Sequence, residues 1–457
     1  MKELELTNKL SNLEFLNKIK SGKLKICVIG IGRIGLPTAL SFANSGLPTI
    51  GLDNNQKLVN IINSGKFPLN DEPGFDIIFD KVIKEKRFRA TTNFNEISFS
   101  DVIILSLPTS IDSNNIPDYS ALLSVLKKLH DTVSRNTLIV IESTVEPGFV
   151  EEQLLGVIED QDNNLRGTFV GVCPENANPG QILDDFKRIP RLVGAIDEVA
   201  RKRITDLYKH VFPVDLIQMP DCKTANAVKL TTNIFRDLNI ALVNELAIIF
   251  EKAGIDIMVV LEAAKSKYNF QVHYPSSGVG GPCLPVNSYQ MINFAKKFGY
   301  ETFHLVEEGR KINEKMPLHT IALLEDALKE ANKRVSESSI LVLGASYKPD
   351  VKSIQISPIE QIIQILKENH AKITVYDPYY KNSKIFGIKT SDSLISSLEN
   401  CDAMIIATPH KEFYDLKPTF LKSKMRIPIV IDSKCILDQH AAKEAGLIYR
   451  AIGRGKI

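Results

Sequence analysis

A cysteine within a glycine-rich segment is the first feature of the sequence that could carry out chemistry. Cys283 lies in YPSSGVGGPCLPVNSY, residues 274–289, close to Gly278, Gly280 and Gly281. Glycines let a backbone approach a ligand closely, and their N–H groups can hold an oxyanion. A thiolate adds readily to a carbonyl carbon, so Cys283 is a candidate nucleophile. The alternative is a buried, inert cysteine in a tight turn.

A glycine-rich turn near the N-terminus is the second chemical signal. Its pattern is GIGRIG, and its residues are Gly30, Gly32, Arg33, Ile34 and Gly35. The apolar run KICVI precedes the turn and a helical pattern follows it, which is the context of a dinucleotide-binding site. The first glycine permits the tight turn, the second lets the backbone approach a pyrophosphate, and the third allows close helix–strand packing. The turn therefore predicts dinucleotide binding.

An acidic residue in the next strand indicates which dinucleotide binds. Asp53 ends the run PTIGLD, 18 residues after Gly35. A carboxylate at this position can hold the ribose 2′-hydroxyl of NAD, and it repels the 2′-phosphate of NADP. Arg33 inside the turn is a weaker indication of NADP. We expect NAD as the cofactor.

Two further groups of polar residues are candidates for lining a site. Lys229, Asn233 and Arg236 are spaced i, i+4 and i+7 in a helical pattern, so they share one helix face. Such a stripe either lines a site or is a solvated face. Glu175, in VGVCPEN, follows a strand end, where α/β sheets place their ligands. Its alternative is a surface acid.

A second, simpler glycine turn occurs in the C-terminal part of the chain. In SILVLGASYKPD only Gly344 occupies the turn, so we do not expect a second dinucleotide site. A half-site of this kind suits a mononucleotide, and Lys348 beside it could meet a phosphate as a point charge. The alternative for Lys348 is a solvated surface lysine.

The elements that must position these residues form three blocks. From Lys25 to about Met219, short β-branched runs alternate with helical stretches, and a second alternation begins at Ile340. This alternation predicts βαβ units and mostly parallel sheets. Between the blocks, Asp221 to Ala253 are 33 residues without Gly or Pro, which predicts one helix of roughly 50 Å. The predicted fold class is α/β, with two Rossmann-like doubly wound lobes joined by a long central helix and a helical domain.

Composition and charge restrict the function classes. Of 457 residues, 44% are hydrophobic and 24% are charged, which is ordinary for a globular protein. Lys plus Arg number 56 and Asp plus Glu 54, so we expect no nucleic acid and no anionic membrane as partner. No apolar run approaches the roughly 18–20 residues of a membrane span, and a signal peptide is not indicated. The six cysteines are far apart without a CxxC pair, so we expect no disulfide framework, no metal site and a cytoplasmic protein.

The order of several motifs carries a family resemblance. The motifs are the GIGRIG turn, the helix KLTTNIFRDLNIALVNELA, the loop GVGGPCLPV and the segment GASYKPDV. With them, the sequence resembles the UDP-glucose/GDP-mannose dehydrogenase family from about Lys23 to the C-terminus. The segments VCPENANPG, NIALVNELA and CLPV are most similar to the branch that oxidises UDP-N-acetylmannosamine or UDP-N-acetylglucosamine at C6.

The resemblance and the pattern of elements together predict four segments. These are an N-terminal helical extension (1–22), an NAD-binding Rossmann domain (23–219), a central helical dimerisation domain with the catalytic Lys and Cys (220–325), and a UDP-sugar-binding Rossmann-like domain (326–457). Family members are dimers or larger, so the resemblance implies a homodimer or higher homo-oligomer with the long helix at its centre.

The resemblance also implies a four-electron oxidation that consumes two NAD. Cys283 would add as thiolate to the C6 aldehyde, and the thiohemiacetal would become a thioester that water hydrolyses to the uronate. Lys229 and Asn233 match the pair that stabilises the oxyanion, and Glu175 matches a carboxylate that positions or deprotonates groups in the acyl steps. The product would enter surface polysaccharide or glycan.

Further residues match binding positions of the family. Cofactor contacts are implied at Thr109, Thr144 and Gln355. Substrate contacts are implied at Asn176, Arg236, Asn269, Gly280, Tyr347, Lys348 and Lys434.

Several of these positions depart from the family pattern. Asn287 stands where the family usually has an Asp that follows the catalytic Cys, and a neutral amide cannot act as a base. The other departures are Asn176, Asn269 and Gln355 in place of Arg, Lys267 in place of His, and Asn226 in place of Glu.

Three functions therefore stand side by side. The first is the four-electron oxidation of a UDP-N-acetylhexosamine. The second is a two-electron dehydrogenase of another sugar nucleotide or hydroxy acid, without a covalent step. The third is a catalytically impaired paralogue that binds a nucleotide sugar, and the departures at residues 226, 269, 287 and 355 favour it.

Overall fold

The apolar runs of the sequence form two large β-sheets in the computed structural model, which describes residues 2–134, 136–154 and 167–455. The chain divides into two compact units. The first comprises Met1–Thr232 and Tyr289–Phe298, and the second comprises Asn233–Ser288 and Gly299–Ile457. The α/β fold class predicted from the sequence is confirmed, whereas the predicted boundaries at residues 22/23, 219/220 and 325/326 stay predictions.

The sheet of the first unit carries the glycine turn and the strand ends that the sequence analysis singles out. Its strands are β1 (Ile26–Ile29), β2 (Thr49–Leu52), β3 (Phe88–Thr91), β4 (Val102–Leu105), β7 (Leu138–Ile141), β8 (Phe169–Val172), β9 (Arg191–Ala195) and β10 (Leu216–Gln218), and a separate hairpin pairs β5 (Ser110–Ile111) with β6 (Pro117–Asp118). The strand order is β10-β9-β8-β7-β4-β1-β2-β3. All neighbours are parallel except β8 and β9, which are antiparallel.

Helices cover both faces of this sheet. They are α1 (Lys2–Lys20), α2 (Gly35–Asn44), α3 (Gln56–Asn63), α4 (Phe75–Lys84), α5 (Ser120–Thr132), α6 (Ile182–Arg188) and α7 (Glu198–Val211). Alternate residues of the central strands enter two separate cores: Ile26 and Val28 of β1 lie in one, and Cys27 and Ile29 lie in the other. Strands that are apolar on both faces are typical of a parallel sheet buried between helix layers.

The predicted long helix is confirmed as α8 (Cys222–Ala253). It follows Pro220 and ends before Gly254, whose φ of +70° is the left-handed conformation that stops a helix. Three helices continue the chain: α9 (Ile257–Ala264), α10 (Leu284–Lys297) and α11 (His304–Glu330). Predicted N-terminal helicity is also confirmed by α1, whose Phe15 and Ile19 are buried in the first core.

The second unit contains the other βαβ sheet. Its strands are β11 (Ser339–Leu343), β12 (Lys372–Tyr376), β15 (Ala403–Ile406), β16 (Ile429–Asp432) and β17 (Ile448–Ala451), with a small hairpin of β13 (Lys384–Ile385) and β14 (Ile388–Lys389). The order β12-β11-β15-β16-β17 is parallel throughout. The helices are α12 (Pro358–Glu368), α13 (Leu394–Glu399), α14 (Pro418–Lys424) and α15 (Gln439–Glu444). As in the first sheet, alternate residues of β11 enter separate cores on the two faces.

Candidate active site

The three glycines of the first turn differ in what surrounds them. A Cβ on Gly30 would lie 2.5 Å from the Ser106 carbonyl oxygen, and one on Gly35 would lie 1.9 Å from the Gly30 carbonyl oxygen. Both positions are thus fixed by close packing of β1, β4 and α2. A Cβ on Gly32 meets no atom within 4 Å among the described residues. This open side suits the approach of a pyrophosphate, so the turn fits the dinucleotide predicted for it.

Asp53 and Arg33, which favour NAD and NADP respectively, are both held by neighbouring groups of the first unit. Asp53 accepts hydrogen bonds from the N–H of Ile31 (3.1 Å) and the N–H of Asn55 (2.9 Å), which hold its carboxylate next to the glycine turn. The Arg33 guanidinium pairs with Asp71 at 2.8 Å and with Glu72 at 3.0 Å. Because two carboxylates of the same unit already engage Arg33, its weak indication of NADP loses weight.

The predicted cofactor threonines follow adjacent strands of the same sheet. Thr109 after β4 and Thr144 after β7 are both half-buried. Ser143 links the two strand ends, because its hydroxyl accepts the N–H of Leu107 at 2.8 Å and donates to the carbonyl of Leu107. The Thr144 carbonyl accepts a hydrogen bond from the Gln290 side chain at 3.1 Å. The strand ends therefore present a connected polar edge, while Ile34 lies half-buried in the turn.

Three of the predicted site residues come together at the end of β8. Glu175 Oε1 accepts the N–H groups of Asn176 and Ala177, each at 2.7 Å. The Asn176 side-chain oxygen in turn accepts a hydrogen bond from Lys229 Nζ at 3.0 Å. The Lys229 side chain is buried. The structure thus links Lys229, Asn176 and Glu175 in one hydrogen-bonded chain.

A buried arginine that the sequence analysis did not identify stands behind Glu175. Arg191, the first residue of β9, places Nη1 2.7 Å from Glu175 Oε2 and 3.6 Å from Glu142 Oε1. Its guanidinium carbon lies 3.8 Å from the centre of the Phe212 ring and 4.6 Å from that of Phe186. Carboxylates and aromatic faces are the surroundings that let a buried cation remain charged.

The second carboxylate of this cluster, Glu142, is an unusual acid. It accepts hydrogen bonds from the hydroxyls of Tyr208 (2.7 Å) and Thr38 (3.1 Å). Burial raises the pKa of Glu142 to about 7, while Arg191 opposes that rise and Glu175 adds to it. A charged residue that directly ends the apolar run LIVI was the available sequence signal. The pairing of Arg191 had no local sequence signal, because it joins strand β9 to residues 16 and 49 positions earlier on other elements.

In the second unit, Cys283 directly precedes α10. It is exposed, whereas the other five cysteines are buried or half-buried, and all six are free. The N–H of Asn287 donates to the Cys283 carbonyl at 2.9 Å, and the Asn233 side-chain amide donates to the Asn287 side-chain oxygen. The N-terminus of a helix favours negative charge beside it. The structure therefore brings Asn233 of α8 together with Asn287 of α10, which lies four residues after Cys283.

Close packing within the second unit accounts for two of the glycines before Cys283. A Cβ on Gly280 would lie 2.3 Å from the Ile356 carbonyl oxygen, and one on Gly281 would lie 2.6 Å from the Tyr347 ring. The Gly281 N–H donates to the Gln355 carbonyl at 3.1 Å. The Gly281 N–H is thus engaged within the chain, and the expectation that glycine N–H groups of this segment hold an oxyanion stays a prediction.

A buried polar network that the sequence analysis missed ties α8, α10 and α11 together. Asp237 accepts hydrogen bonds from Ser288 at 2.8 Å, Asn313 at 2.8 Å and Arg310 at 2.9 Å. Burial raises the pKa of Asp237 against the opposing effect of Arg310. Asp237 lies one turn after Asn233, so this network fixes the rotation of the helix that carries Asn233.

The remaining predicted substrate residues of the second unit include the cationic side chains Lys434 and Arg236, which lie close enough to repel each other. Lys434 follows β16 and is half-buried, and burial lowers its pKa to about 8, with Arg236 lowering it further. Two cations that repel each other in this way suit a bound anion. Tyr347 and Lys348 follow β11. The side chains of Gln355 and Asn269 are exposed.

Two classes of feature are absent from the described part of the chain. No group of three or more His, Cys, Asp or Glu side chains there could hold a metal ion. Among the same residues, no helix combines the length and the apolar composition that a membrane crossing requires.

Comparison with known proteins agrees with this geometry. Three domains of the UDP-glucose/GDP-mannose dehydrogenase family match the chain: the NAD binding domain at residues 24–212, the central domain at 223–315 and the UDP binding domain at 341–439. A UDP-N-acetyl-D-mannosamine dehydrogenase from Pyrococcus horikoshii is 34% identical over 95% of this chain and 100% of its own length. Protein CapL from Staphylococcus aureus is 30% identical over 93% of this chain and 99% of its own length.

Solved structures of nucleotide-sugar dehydrogenases also match the chain. The structure of the Pyrococcus horikoshii enzyme matches with a TM-score of 0.86 at 34% identity, covering 95% of this chain and 100% of that one. An NDP-N-acetyl-D-galactosaminuronic acid dehydrogenase from Methanosarcina mazei matches with a TM-score of 0.80 at 28% identity, covering 96% and 98%. The chain therefore belongs to the UDP-glucose/GDP-mannose dehydrogenase family and is an NAD-dependent oxidoreductase that acts on a UDP-sugar.

Proposed function

We propose that this enzyme oxidises UDP-N-acetylmannosamine at C6 to the uronate in two consecutive steps that remove four electrons. The similarity to UDP-N-acetyl-D-mannosamine dehydrogenases along the whole chain supports the substrate. The observation that carries the covalent mechanism is the exposure of Cys283, since burial raises the pKa of the other cysteines, for example Cys27 and Cys435 to about 12 each. The product is an acidic sugar nucleotide suited to surface polysaccharide or glycan synthesis.

The proposed chemistry at Cys283 balances as follows. The C6 alcohol first loses a hydride and a proton, which gives the aldehyde. The Cys283 thiolate adds to the aldehyde carbon, and the resulting alkoxide takes up a proton to form a thiohemiacetal. Loss of a second hydride and a proton gives a thioester, and water cleaves it to release the uronate and the free thiol. NAD, when bound, supplies the acceptor for each hydride.

Each of the other proposed catalytic side chains has a role in these steps. Lys229 and Asn233, one turn apart on α8, stabilise the negative oxygen that develops at C6. Glu175 positions or deprotonates groups during the acyl steps, and its two backbone hydrogen bonds hold the carboxylate in one orientation. Asn176 links Glu175 to Lys229 and so couples the position of the acid to that of the cation.

The two nucleotides bind to different sheets. Gly30, Gly32, Gly35 and Asp53 receive the pyrophosphate and adenosine ribose of NAD, and Arg33, Ile34, Thr109, Thr144 and Gln355 complete the proposed cofactor set. The UDP-sugar is held by Arg236, Tyr347, Lys348 and Lys434, together with Asn176, Asn269 and Gly280. The depressed pKa of Lys434 beside Arg236 supports an anionic ligand at this edge, because a phosphate would relieve the repulsion.

The enzyme is proposed to act as a homodimer or larger homo-oligomer in the cytoplasm. Helix α8 exposes Phe235, Leu242 and Ile249, which are seven residues apart and therefore lie on one side of the helix. Each of these side chains is about half exposed in the single chain (52%, 52% and 51%). A stripe of this kind is typical of a surface that a second copy covers. Six free cysteines suit a reducing compartment.

Asn287 favours a second candidate function. It lies in the segment of Cys283 with a neutral amide, so it supplies no base for the hydrolysis of a thioester. An enzyme limited in this way would release the aldehyde after two electrons or would bind the nucleotide sugar without turnover. UDP-N-acetylglucosamine remains the alternative substrate for the four-electron reaction.

Replacement of the proposed nucleophile tests the mechanism. Cys283→Ala should abolish uronate formation while the affinities for NAD and UDP stay within about threefold of the parent. Cys435→Ala is the matched control, because that thiol is half-buried and has no role in the proposal. Uronate at the normal yield from Cys283→Ala would exclude the covalent route and would favour the two-electron alternative.

A further inference from the structure

A buried histidine joins two parts of the UDP-binding lobe. His410 lies after β15, and only 1% of its surface is exposed. Its Nε2 lies 3.1 Å from Asp377 Oδ2, and its Nδ1 lies 2.9 Å from the backbone nitrogen of Asp350. A backbone N–H can only donate, so Nδ1 must accept and the ring proton must sit on Nε2. The hydrogen bonds thus assign His410 one neutral tautomer.

The two partners of His410 hold opposite ends of one loop. Asp377 Oδ2 accepts the N–H of Ala345 at 2.8 Å, the N–H of Ser346 at 3.1 Å and the Ser346 hydroxyl at 3.2 Å. These contacts fix the beginning of residues 345–350, which we call the nucleotide loop because it carries Tyr347 and Lys348. Asp377 itself is fully buried at the end of β12.

The far end of the nucleotide loop is held in a conformation that needs support. Asp350 has a φ of +58°, in the left-handed region that side chains other than glycine seldom adopt. Its N–H donates to His410, and its carboxylate accepts the N–H of Lys411 at 3.0 Å. Strained backbone persists where surrounding contacts over-determine it, and functional loops are where it is common. His410 therefore supplies a contact on which the loop geometry depends.

The histidine ring is itself held in place. It packs on Tyr379 with ring centres 5.2 Å apart and edge-on against Phe413 at 5.6 Å. The Thr408 hydroxyl donates to the Ser346 carbonyl at 2.6 Å, which ties the strand end before His410 to the same loop. A rigid ring that contacts the far end of the loop directly and its beginning through Asp377 restricts the conformation of the residues between them.

We propose that His410 is a positioning residue that shapes the nucleotide loop and thereby places Tyr347 and Lys348 for the nucleoside diphosphate half of the substrate. The inference rests on the proposed function, in which these two residues bind UDP. The two nitrogens of His410 act at different places, since Nδ1 holds the far end of the loop through Asp350 and Nε2 holds the carboxylate that organises its beginning.

Two amide substitutions separate the contributions of the two nitrogens. In His410→Asn the amide oxygen can occupy the place of Nδ1 and accept the Asp350 N–H, while the contact with Asp377 is lost. In His410→Gln the amide nitrogen can reach the place of Nε2 and donate to Asp377, while the Asp350 N–H loses its acceptor. Asp377 keeps its hydrogen bonds from Ala345, Ser346 and Tyr379 in either variant. The pair therefore changes one hydrogen bond at a time.

The experiment measures dissociation constants for UDP and for NAD by calorimetry on the full chain, together with KM and kcat. We expect His410→Gln to weaken UDP binding about tenfold, the effect of losing one well-placed hydrogen bond, and to raise the KM for the UDP-sugar with kcat nearly unchanged. His410→Asn should stay within about threefold of the parent. NAD affinity should not change in either variant, because all proposed cofactor residues except Gln355 lie in the first unit and Gln355 lies outside the nucleotide loop.

Three results would overturn the inference. Normal UDP affinity in His410→Gln would do so, and so would equal losses in the Asn and Gln variants. A parallel loss of NAD affinity in His410→Gln would show general damage to the fold instead of a loop effect. Lys348→Ala, measured alongside, separates the inference from its premise. If Lys348→Ala weakens UDP binding and His410→Gln does not, only the inference fails; if Lys348→Ala has no effect, the proposed nucleotide site fails as well.

Discussion

At the scale of single residues, the cluster of Glu142, Arg191 and Glu175 explains how a catalytic carboxylate is held. Arg191 is buried between the two acids and is covered by aromatic rings. Removing the guanidinium from such a place would leave two buried carboxylates without a compensating cation, which is strongly destabilising. The cluster therefore holds Glu175 in place through Arg191. Its unfavourable consequence falls on Glu142, because burial disfavours the charged form of that carboxyl.

The raised pKa of Glu142 predicts a pH dependence of stability. An acid whose pKa is about 7 in the folded state and near 4.5 in the unfolded state binds its proton more tightly when folded. Its contribution to stability is fully present below pH 4.5 and is lost as pH rises through 7. We expect Glu142→Gln to gain about 3 kcal/mol relative to the parent between pH 4.5 and pH 8.

Urea unfolding at several pH values measures this difference. Glu301→Gln, at an exposed glutamate, is the control, and its stability should follow that of the parent at every pH. Parallel curves for Glu142→Gln and the parent would contradict the assignment of a raised pKa to Glu142.

At the scale of elements, different glycines of the GIGRIG turn serve folding and cofactor binding. Gly35 is required by packing, because its Cβ would overlap the Gly30 carbonyl, whereas Gly32 faces open space among the described residues. We expect Gly32→Ala to leave the free energy of unfolding within about 0.5 kcal/mol of the parent and to weaken NAD binding at least tenfold. Gly35→Ala should weaken both, with a stability loss of about 1–3 kcal/mol.

Chemical denaturation and NAD titration of the same two variants check this prediction. A Gly32→Ala variant that binds NAD normally would show that the pyrophosphate does not approach this glycine. A Gly35→Ala variant as stable as the parent would show that α2 can shift without cost.

Local patterns predicted these elements well, and long-range contacts limited the rest. Buried strands such as KICVI and the long helix at residues 221–253 are written in continuous apolar periodicity, and the structure has them as β1 and α8. The GIGRIG turn was predicted with the correct flanking strand and helix. The packing of Gly281 against Tyr347 and its hydrogen bond to Gln355 could not be predicted, because both residues lie more than sixty positions further along the chain. Arg191 and His410 could not be predicted either, because their partners lie on other elements, 16 to 60 residues away in the chain.

At the scale of the whole molecule, the exposed stripe on α8 predicts assembly. Leu242 is the centre of the stripe, and a charge there would be buried twice in a symmetric dimer. We expect Leu242→Glu to raise the dimer dissociation constant at least a hundredfold, which corresponds to about 3 kcal/mol. Light scattering on a sizing column measures the mass over a range of concentrations.

Ile77→Glu is the control for assembly, because Ile77 is 73% exposed on α4 and is not part of the stripe on α8. This variant should keep the mass of the parent. A Leu242→Glu protein with an unchanged oligomeric mass would contradict the assignment of this face to the dimer.

We propose that this one enzyme carries out both oxidations at C6 through Cys283. The most direct test is the amount of NADH released per mole of UDP-N-acetylmannosamine consumed, with UDP-N-acetylglucosamine and UDP-glucose offered separately. We expect two NADH per UDP-N-acetylmannosamine, together with one uronate. One NADH with release of an aldehyde, or no NADH from this substrate, would contradict the proposal.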